Sequence, residues 1–501
     1  MASAVGGGEA AVVGIDLGTS AVKILAITTA GRQIAEGSEF YGLVTPQPDR
    51  VEQDADVVYR ATMRVLGAIL SDVRMRGSEV RAIGFSSAMH GVVAVDAGGE
   101  PLTNAITWLD RRSAGVARRW REDGTGSALY ARTGAPMHPM LPVAKLRWLA
   151  EHEPELFAKT RRFVGLKELF VFRWTGEWLI DWGIASATGL FDFTTRAWDP
   201  AALGAAGIEP GRLSQPMPPS TALRAFRPAI ARELGLEHDT AVVLASSDGA
   251  LANIGVGSGD GDVAVTLGTS GAVRRLSRVP EVDANGRTFC YCADDTRYII
   301  GGPTSAAGAS LDWIFALLLD EVPKPDRFAR AAELAAQIEP GANGLTVLPF
   351  FAGERAPYWN AAMRGAVSGI DLAHDRRTIV RAAFESVVFG VFAVYAIATE
   401  RTGKAERVLL SGGLTKAPFV RRLLADIFET VAVEPTQPEA SAFGAALVAA
   451  QAIGAIGDAV ATAHSIGYDA GTPPNAALAP AYHDAYDRYR QAVAAELVRA
   501  G

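Results

Sequence analysis

Cysteine is almost missing from this sequence: only Cys290 and Cys292 occur. Two thiols cannot close a tetrahedral zinc site, and so low a count fits a reducing compartment. The pair stands one residue apart in Phe289-Cys290-Tyr291-Cys292, which reads as a strand with both thiols on one face, buried and reduced. Excess basic charge is also missing. Lys and Arg number 48 against 55 Asp and Glu, for a net charge of −7, and they form no basic stripe, which argues against nucleic acid as a partner. The phosphate loop G-x4-G-K-[ST] does not occur, so P-loop chemistry is excluded. The protein-kinase signature set is absent as well. The first residues, MASAVGGGEA, have no basic segment followed by an apolar core and are not read as a signal peptide. The most apolar late stretch, 445–464, is Ala-rich and broken by Gln451, Gly454, Gly457 and Asp458, so it reads as a packed helix and its end, not a membrane span. A cytoplasmic location is the expectation.

With 501 residues, 49% of them apolar and 21% charged, the chain suits a soluble protein of two domains. It opens with a Val- and Ile-rich strand over 11–17, a Gly-Thr-Ser turn, a second strand over 22–27, and a third run after Ala30-Gly31. Tight turns between consecutive strands predict a β-meander. A helical period over 54–70 and a strand over 80–85 follow, which makes the class α/β. The opening then repeats. Asp16-Leu17-Gly18-Thr19-Ser20 recurs as Thr266-Leu267-Gly268-Thr269-Ser270, 250 residues later, again between two strands. A repeat at half the chain length predicts two related domains, 1–254 and 262–501, joined through the glycine-rich run 255–261. In the second half we expect helices over 378–402, 417–428, 440–450 and 481–499, with strands over 407–411 and 431–433.

Each Gly-Thr-Ser turn presents successive N–H groups and two hydroxyls to one point, a concavity that suits phosphate. Two such turns, Gly18-Thr19-Ser20 and Gly268-Thr269-Ser270, are placed to clamp a triphosphate between the domains. Asp16, just before the first turn, suits Mg²⁺ held through water. Lys23 reads either as a counter-charge to phosphate or as a solvated lysine. Ser411-Gly412-Gly413-Leu414 reads either as a simple turn or as a close approach of ligand to a helix N-terminus. Asp248 follows the apolar run 241–245 and stands where open α/β sheets bind ligands. It reads as a general base for an alcohol or as a helix N-cap. His90, after the strand ending at Phe85, and Trp108 read as sugar contacts or as core groups.

Together these motifs resemble the FGGY carbohydrate kinases, from about Val12 to about Ala450. GIDLGTSAVK (14–23) looks like the first phosphate motif, VTLGTSGAVR (265–274) like the second, and LLSGGLTKAPFVRRLLADIF (409–428) like the adenosine motif. MLPVAKLRWLAEH (140–152) fits the family's first signature, and GAVSGIDLAHDRRTIVRAAFE (365–385) is close to its second, departing at Thr378. The resemblance implies two actin-like, ribonuclease-H-like ATPase domains with an interdomain cleft. It implies Asp248 as catalytic base; Met89, His90, Trp108 and Asp248 at the substrate; Gly18, Thr19, Ser20, Lys23, Gly268, Thr269, Ser270, Gly308, Gly412 and Gly413 at ATP; and Asp16 at Mg²⁺. The implied partners are ATP and a small sugar or sugar acid, with no nucleic acid and no membrane; a homodimer is an allowed assembly. FSSAMHGVVAVD (85–96), ITWLDRRSAG (106–115) and FAGERAPYWN (351–360) look like the gluconokinase branch, whereas Gly91, Leu109 and Arg111 depart from it and Gly91 resembles xylulokinases. Gluconate carries a carboxylate, for which Arg111, Arg112, Lys167 and Arg355 are candidate partners. An actin-like chaperone or a sugar sensor would share the turns but lack the base at Asp248 or a complete catalytic set.

Overall fold

The computed structural model describes residues 9–237, 239–437 and 439–500. The segment read as lacking a signal peptide lies almost wholly outside them. The N-terminal half is built on a sheet of six strands: β1 (Ala11–Leu17), β2 (Ala21–Thr28), β3 (Gln33–Phe40), β4 (Val80–Ser87), β5 (Ala222–Leu223) and β6 (Ala241–Val243), in the order β5-β6-β4-β1-β2-β3. The C-terminal half repeats the plan with β7 (Asp262–Leu267), β8 (Gly271–Ser277), β9 (Phe289–Cys292), β10 (Tyr298–Thr304), β11 (Arg407–Ser411) and β12 (Val431–Val433), in the order β9-β10-β8-β7-β11-β12. In each half the opening strand pairs antiparallel with the strand after the Gly-Thr-Ser turn. On its other edge it pairs parallel with a later strand, β1 with β4 and β7 with β11. The fold thus carries the internal repeat that the two turns announced.

Helices cover the sheets: α1 (Ala55–Met75), α2 (Pro142–His152), α3 (Leu166–Thr175), α4 (Asp248–Gly255), α5 (Gly308–Leu318), α6 (Arg376–Ala398), α7 (Pro418–Phe428), α8 (Ala440–Ala452), α9 (Ala459–Ile466) and α10 (Ala479–Ala500). The start of α1 is fixed by Asp54, whose carboxylate accepts from the N–H groups of Asp56 and Val57. Helix α6 is long and apolar enough to cross a membrane, yet 83% of its apolar window is buried inside the protein. The stretch 445–464 is not one helix and its end: α8 stops at Ala452, and Asp458 caps a separate α9.

Helix α8 carries alanine on every side because it is enclosed on every side. A Cβ at Gly14 of β1 would stand 1.8 Å from Ala442 O, and one at Gly84 of β4 2.3 Å from Ala445 O. The helix from the second half therefore lies against the first half's sheet at backbone distance. It crosses α4 as closely, Gly444 meeting Leu251 O and Gly255 meeting Ala440 O. This corrects the expected linker. Gly255 ends α4 and is buried, so the connection between the halves begins after it.

Candidate active site

Three parallel strand ends build the first wall. β4 lies between β1 and β6, with Asp16 in register with Ser86 and a further bridge joining Ser87 to Ser247. Asp16 and Asp248 are thereby brought to one edge, at the carboxyl ends of their strands. Ser86 Oγ–H donates to Asp16 Oδ1 at 2.7 Å. Burial, and then the Asp248 charge, push Asp16 up to about 6, against the pull of Ser86 and Lys23. Burial likewise raises Asp248, while Arg274, the Gly249 N–H at 2.7 Å and Lys167 draw it back down. Asp248 is not the helix cap. Ser247 holds that place, its Oγ accepting from Ala250 N, which leaves the Asp248 carboxylate half-buried at the cavity.

The first Gly-Thr-Ser turn is held from behind. Tyr41 O–H donates to Gly18 O at 2.6 Å, and Gln53 Nε2–H to Thr19 O at 2.8 Å. The second turn faces two further glycines. A Cβ at Gly308 would stand 2.5 Å from Gly268 O, and one at Gly412, whose φ is +96°, 2.4 Å from Leu267 O. Gly308 and Gly412 therefore pack backbone against backbone on the second turn, where no side chain would fit. Gly413 faces open space. A short 3₁₀ turn (Gly413–Lys416) separates these glycines from α7, whose first residue is Pro418. The helix expected over 417–428 thus begins one short turn after Gly412-Gly413. Lys23 is half-exposed, with its Nζ 2.8 Å from Glu439, so in this structure its charge is already met.

Between the turns lies a cavity of about 180 Å³, lined among others by Thr19, Met89, His90, Trp108, Asp248 and Ser270. Trp108 Nε1–H donates to Thr19 Oγ1 at 2.9 Å, tying the aromatic wall to the first turn. His90 adopts a left-handed backbone, φ +69°. Burial and Lys145 hold its imidazole down at about 3, so the ring is neutral. Its Nδ1 stands 2.7 Å from Ala187 O. A neutral ring meeting a carbonyl there carries its proton on Nδ1, leaving Nε2 to accept from a hydroxyl.

Long-range contacts add residues that sequence reasoning did not select. Met140, Phe289, Tyr291 and Arg274 line the same cavity. Lys145, fully buried, donates to His90 O at 2.7 Å, Thr107 O at 2.7 Å and Ile106 O at 3.3 Å, fixing the backbones that carry His90 and Trp108. Its place inside the first family signature was the only signal. Lys145→Met takes that donor from His90 O, while Ile106 O keeps the Val92 N–H and Thr107 O the Asp110 N–H; it is expected to raise the KM for the sugar roughly tenfold or more with the KM for ATP unchanged. Steady-state kinetics with one substrate varied at a time reads both.

Of the four cations considered for a substrate carboxylate, two are already used. Lys167 is buried, its Nζ 2.6 Å from Asp181 Oδ2 and donating to Ser246 O at 2.8 Å and Leu244 O at 3.0 Å. Arg112 is paired with Asp110 at 2.8 Å and with Glu52. Arg111 points to solvent. Arg355 lines the cavity. Both cysteines are buried and free, and burial pushes their thiols up to about 12.

Two halves that repeat one sheet order, each with a Gly-Thr-Ser turn after its opening strand, form the frame of paired actin-like domains. Residues 11–255 match the N-terminal domain of the FGGY family of carbohydrate kinases, and residues 263–453 match its C-terminal domain. The chain belongs to that family and is a carbohydrate kinase. It is 36% identical over 452 residues to a gluconokinase of Bacillus licheniformis, covering 89% of this chain and 88% of that protein. It is 32% identical over 447 residues to a xylulose kinase of Staphylococcus epidermidis, covering 88% of each. The solved gluconate kinase of Lactobacillus acidophilus superposes with a TM-score of 0.92 at 30% identity, over 97% of this chain and 98% of that one.

Proposed function

We propose that the protein transfers the γ-phosphate of ATP to D-gluconate, giving 6-phospho-D-gluconate. The observation that carries the transfer is Asp248 at a cavity lined by residues of both Gly-Thr-Ser turns, with Asp16 near enough to feel its charge from the strand end on the other side of β4. Asp248 takes the proton of the attacking hydroxyl, while His90 Nε2 and the Trp108 face orient the sugar. The turns 18–20 and 268–270 hold the phosphates, and the glycines beside the second turn, Gly308, Gly412 and Gly413, receive the adenosine end. Asp16 fits Mg²⁺. It stands beside a serine hydroxyl with the Asp248 charge near, and no cluster of three acidic, His or Cys ligands exists among the described residues. That suits an ion that keeps waters and takes its other ligands from phosphate. When bound, the ion neutralises charge on the phosphoryl oxygens.

Gluconate as substrate is supported by the gluconokinases of Bacillus licheniformis and Bacillus subtilis, at 36% and 35% identity. The xylulose kinases and Gly91, beside which a Cβ would meet only open space, favour a neutral pentulose instead. Coupled ADP release with Mg-ATP against gluconate, xylulose, ribulose, glycerol, erythritol and no sugar decides. Gluconate is expected to dominate. A xylulose preference would overturn the substrate, and no release above the no-sugar rate would overturn the kinase reading of this chain.

A further inference from the structure

Two guanidiniums face the sugar half of the cavity, and no side chain fully neutralises them. Arg355 is only 9% exposed. Its guanidinium carbon lies 4.9 Å from the centroid of the Trp108 ring. Among the described residues its guanidinium has one hydrogen-bond acceptor, Thr304 O at 2.8 Å. The neighbouring Glu354 offsets part of its charge but makes no hydrogen bond to the guanidinium. That carboxylate accepts from the backbone N–H groups of Ser305, Ala306 and Arg355. Arg274 projects from β8, and its buried Nε has no hydrogen-bond partner. Its charge is felt by Asp248 on one side and by Arg355 on the other. Arg274 therefore stands between the base and the aromatic wall.

A buried cation without a full partner costs free energy unless an anion completes it. The Trp108 ring that Arg355 covers meets the first turn through Thr19, and both arginines line the cavity together with Asp248 and Trp108. Lys167 and Arg112 are consumed, as described above. We propose that Arg355 and Arg274 together hold the carboxylate of a sugar acid, and that this pair selects an anionic substrate over a neutral one of the same length. The proposal rests on the kinase reading and adds its selectivity. Guanidinium forks match a carboxylate in a way that a lone ammonium does not.

The test compares D-gluconate with D-glucitol, the same carbon skeleton without the carboxylate, in wild type and in Arg355→Met and Arg274→Met. Binding is read by titration calorimetry without ATP, and turnover by ADP release in parallel. Wild type is expected to bind gluconate at least ~30-fold more tightly than glucitol. Each variant is expected to lose most of that ratio while its affinity for glucitol stays within a few-fold. Arg355→Gln and Arg274→Gln stand in if a Met variant fails to fold. Equal wild-type affinity for the two ligands overturns the proposal, even if the enzyme phosphorylates another sugar. So does a variant whose ratio stays within a few-fold of wild type, or variants in which turnover of every sugar falls alike; the last result assigns the arginines to the transferred phosphoryl group. Absence of turnover in wild type with preserved selective binding overturns only the kinase reading.

Discussion

Asp248→Asn is expected to lower kcat by roughly 10²–10⁴-fold, with gluconate affinity within a few-fold of wild type. The amide keeps the shape of the carboxylate and its contact with Gly249 N, yet it cannot take the proton of the attacking hydroxyl. The loss should therefore fall on the chemical step, read by rapid-quench single turnover alongside calorimetric binding. Stability should move the other way. Burial raises the Asp248 carboxyl above its ordinary value despite Arg274, so at pH above that ordinary value the group costs the folded state free energy relative to the unfolded chain. The neutral amide removes that cost, and the melting temperature is expected to equal or exceed that of wild type. A kcat within tenfold of wild type would show that another group takes the proton. A large fall in melting temperature would show that Asp248 is there for structure.

The repeat of Gly-Thr-Ser made the architecture readable. A short motif with fixed backbone demands recurred at half the chain length between β-rich runs, and no packing knowledge was needed to see two related sheets. The helices of the second half were readable for the same local reason, their apolar period. What misled was local as well. The apolar run 241–245 suggested a strand two residues longer than β6. The chain instead turns at Ala245, with φ +51°, and the cap falls on Ser247, one residue before Asp248. Gly255 looked like linker because glycine marks loops. Here it is a contact residue, chosen so that two helices can touch at the backbone.

Cations were the least readable residues. Arg112, Lys167 and Arg355 are equivalent in a sequence, and only three-dimensional neighbours tell a consumed charge from an unmatched one. Arg274 went unselected although it stands inside a quoted motif, because the motif's meaning was attached to its glycine turn. Its guanidinium lies against Gly249, beside Asp248, a contact between the two halves of the chain. Lys23 shows the converse. Its place after the first turn left phosphate and solvent as equal readings, and in this structure Glu439, the residue before α8 and 416 positions away, pairs with it.

Lys167→Met is expected to be the most destabilising of the substitutions considered, by an order of 3–5 kcal/mol. The lysine is an internal clamp. Its ammonium reaches the carbonyls of Phe85, Leu244 and Ser246, at the ends of β4 and β6, and meets Asp181, which caps the helix 182–186 through Oδ1 and Ile184 N. Removing it leaves a buried carboxylate with no cation and three carbonyls with no donor. It also frees Ser246-Ser247, the two residues that aim Asp248, so kcat should fall at temperatures where the variant is still folded, with the KM for ATP unchanged. Thermal and urea unfolding read the first effect, and kinetics at 15 °C read the second. The double variant Lys167→Met/Asp181→Leu removes the stranded charge and is expected to recover part of the stability but not the kcat. The contrary result is informative. If Lys167→Met unfolds like wild type and only the KM for gluconate rises, then Lys167 is a substrate ligand, and the carboxylate belongs to it, not to Arg355 and Arg274.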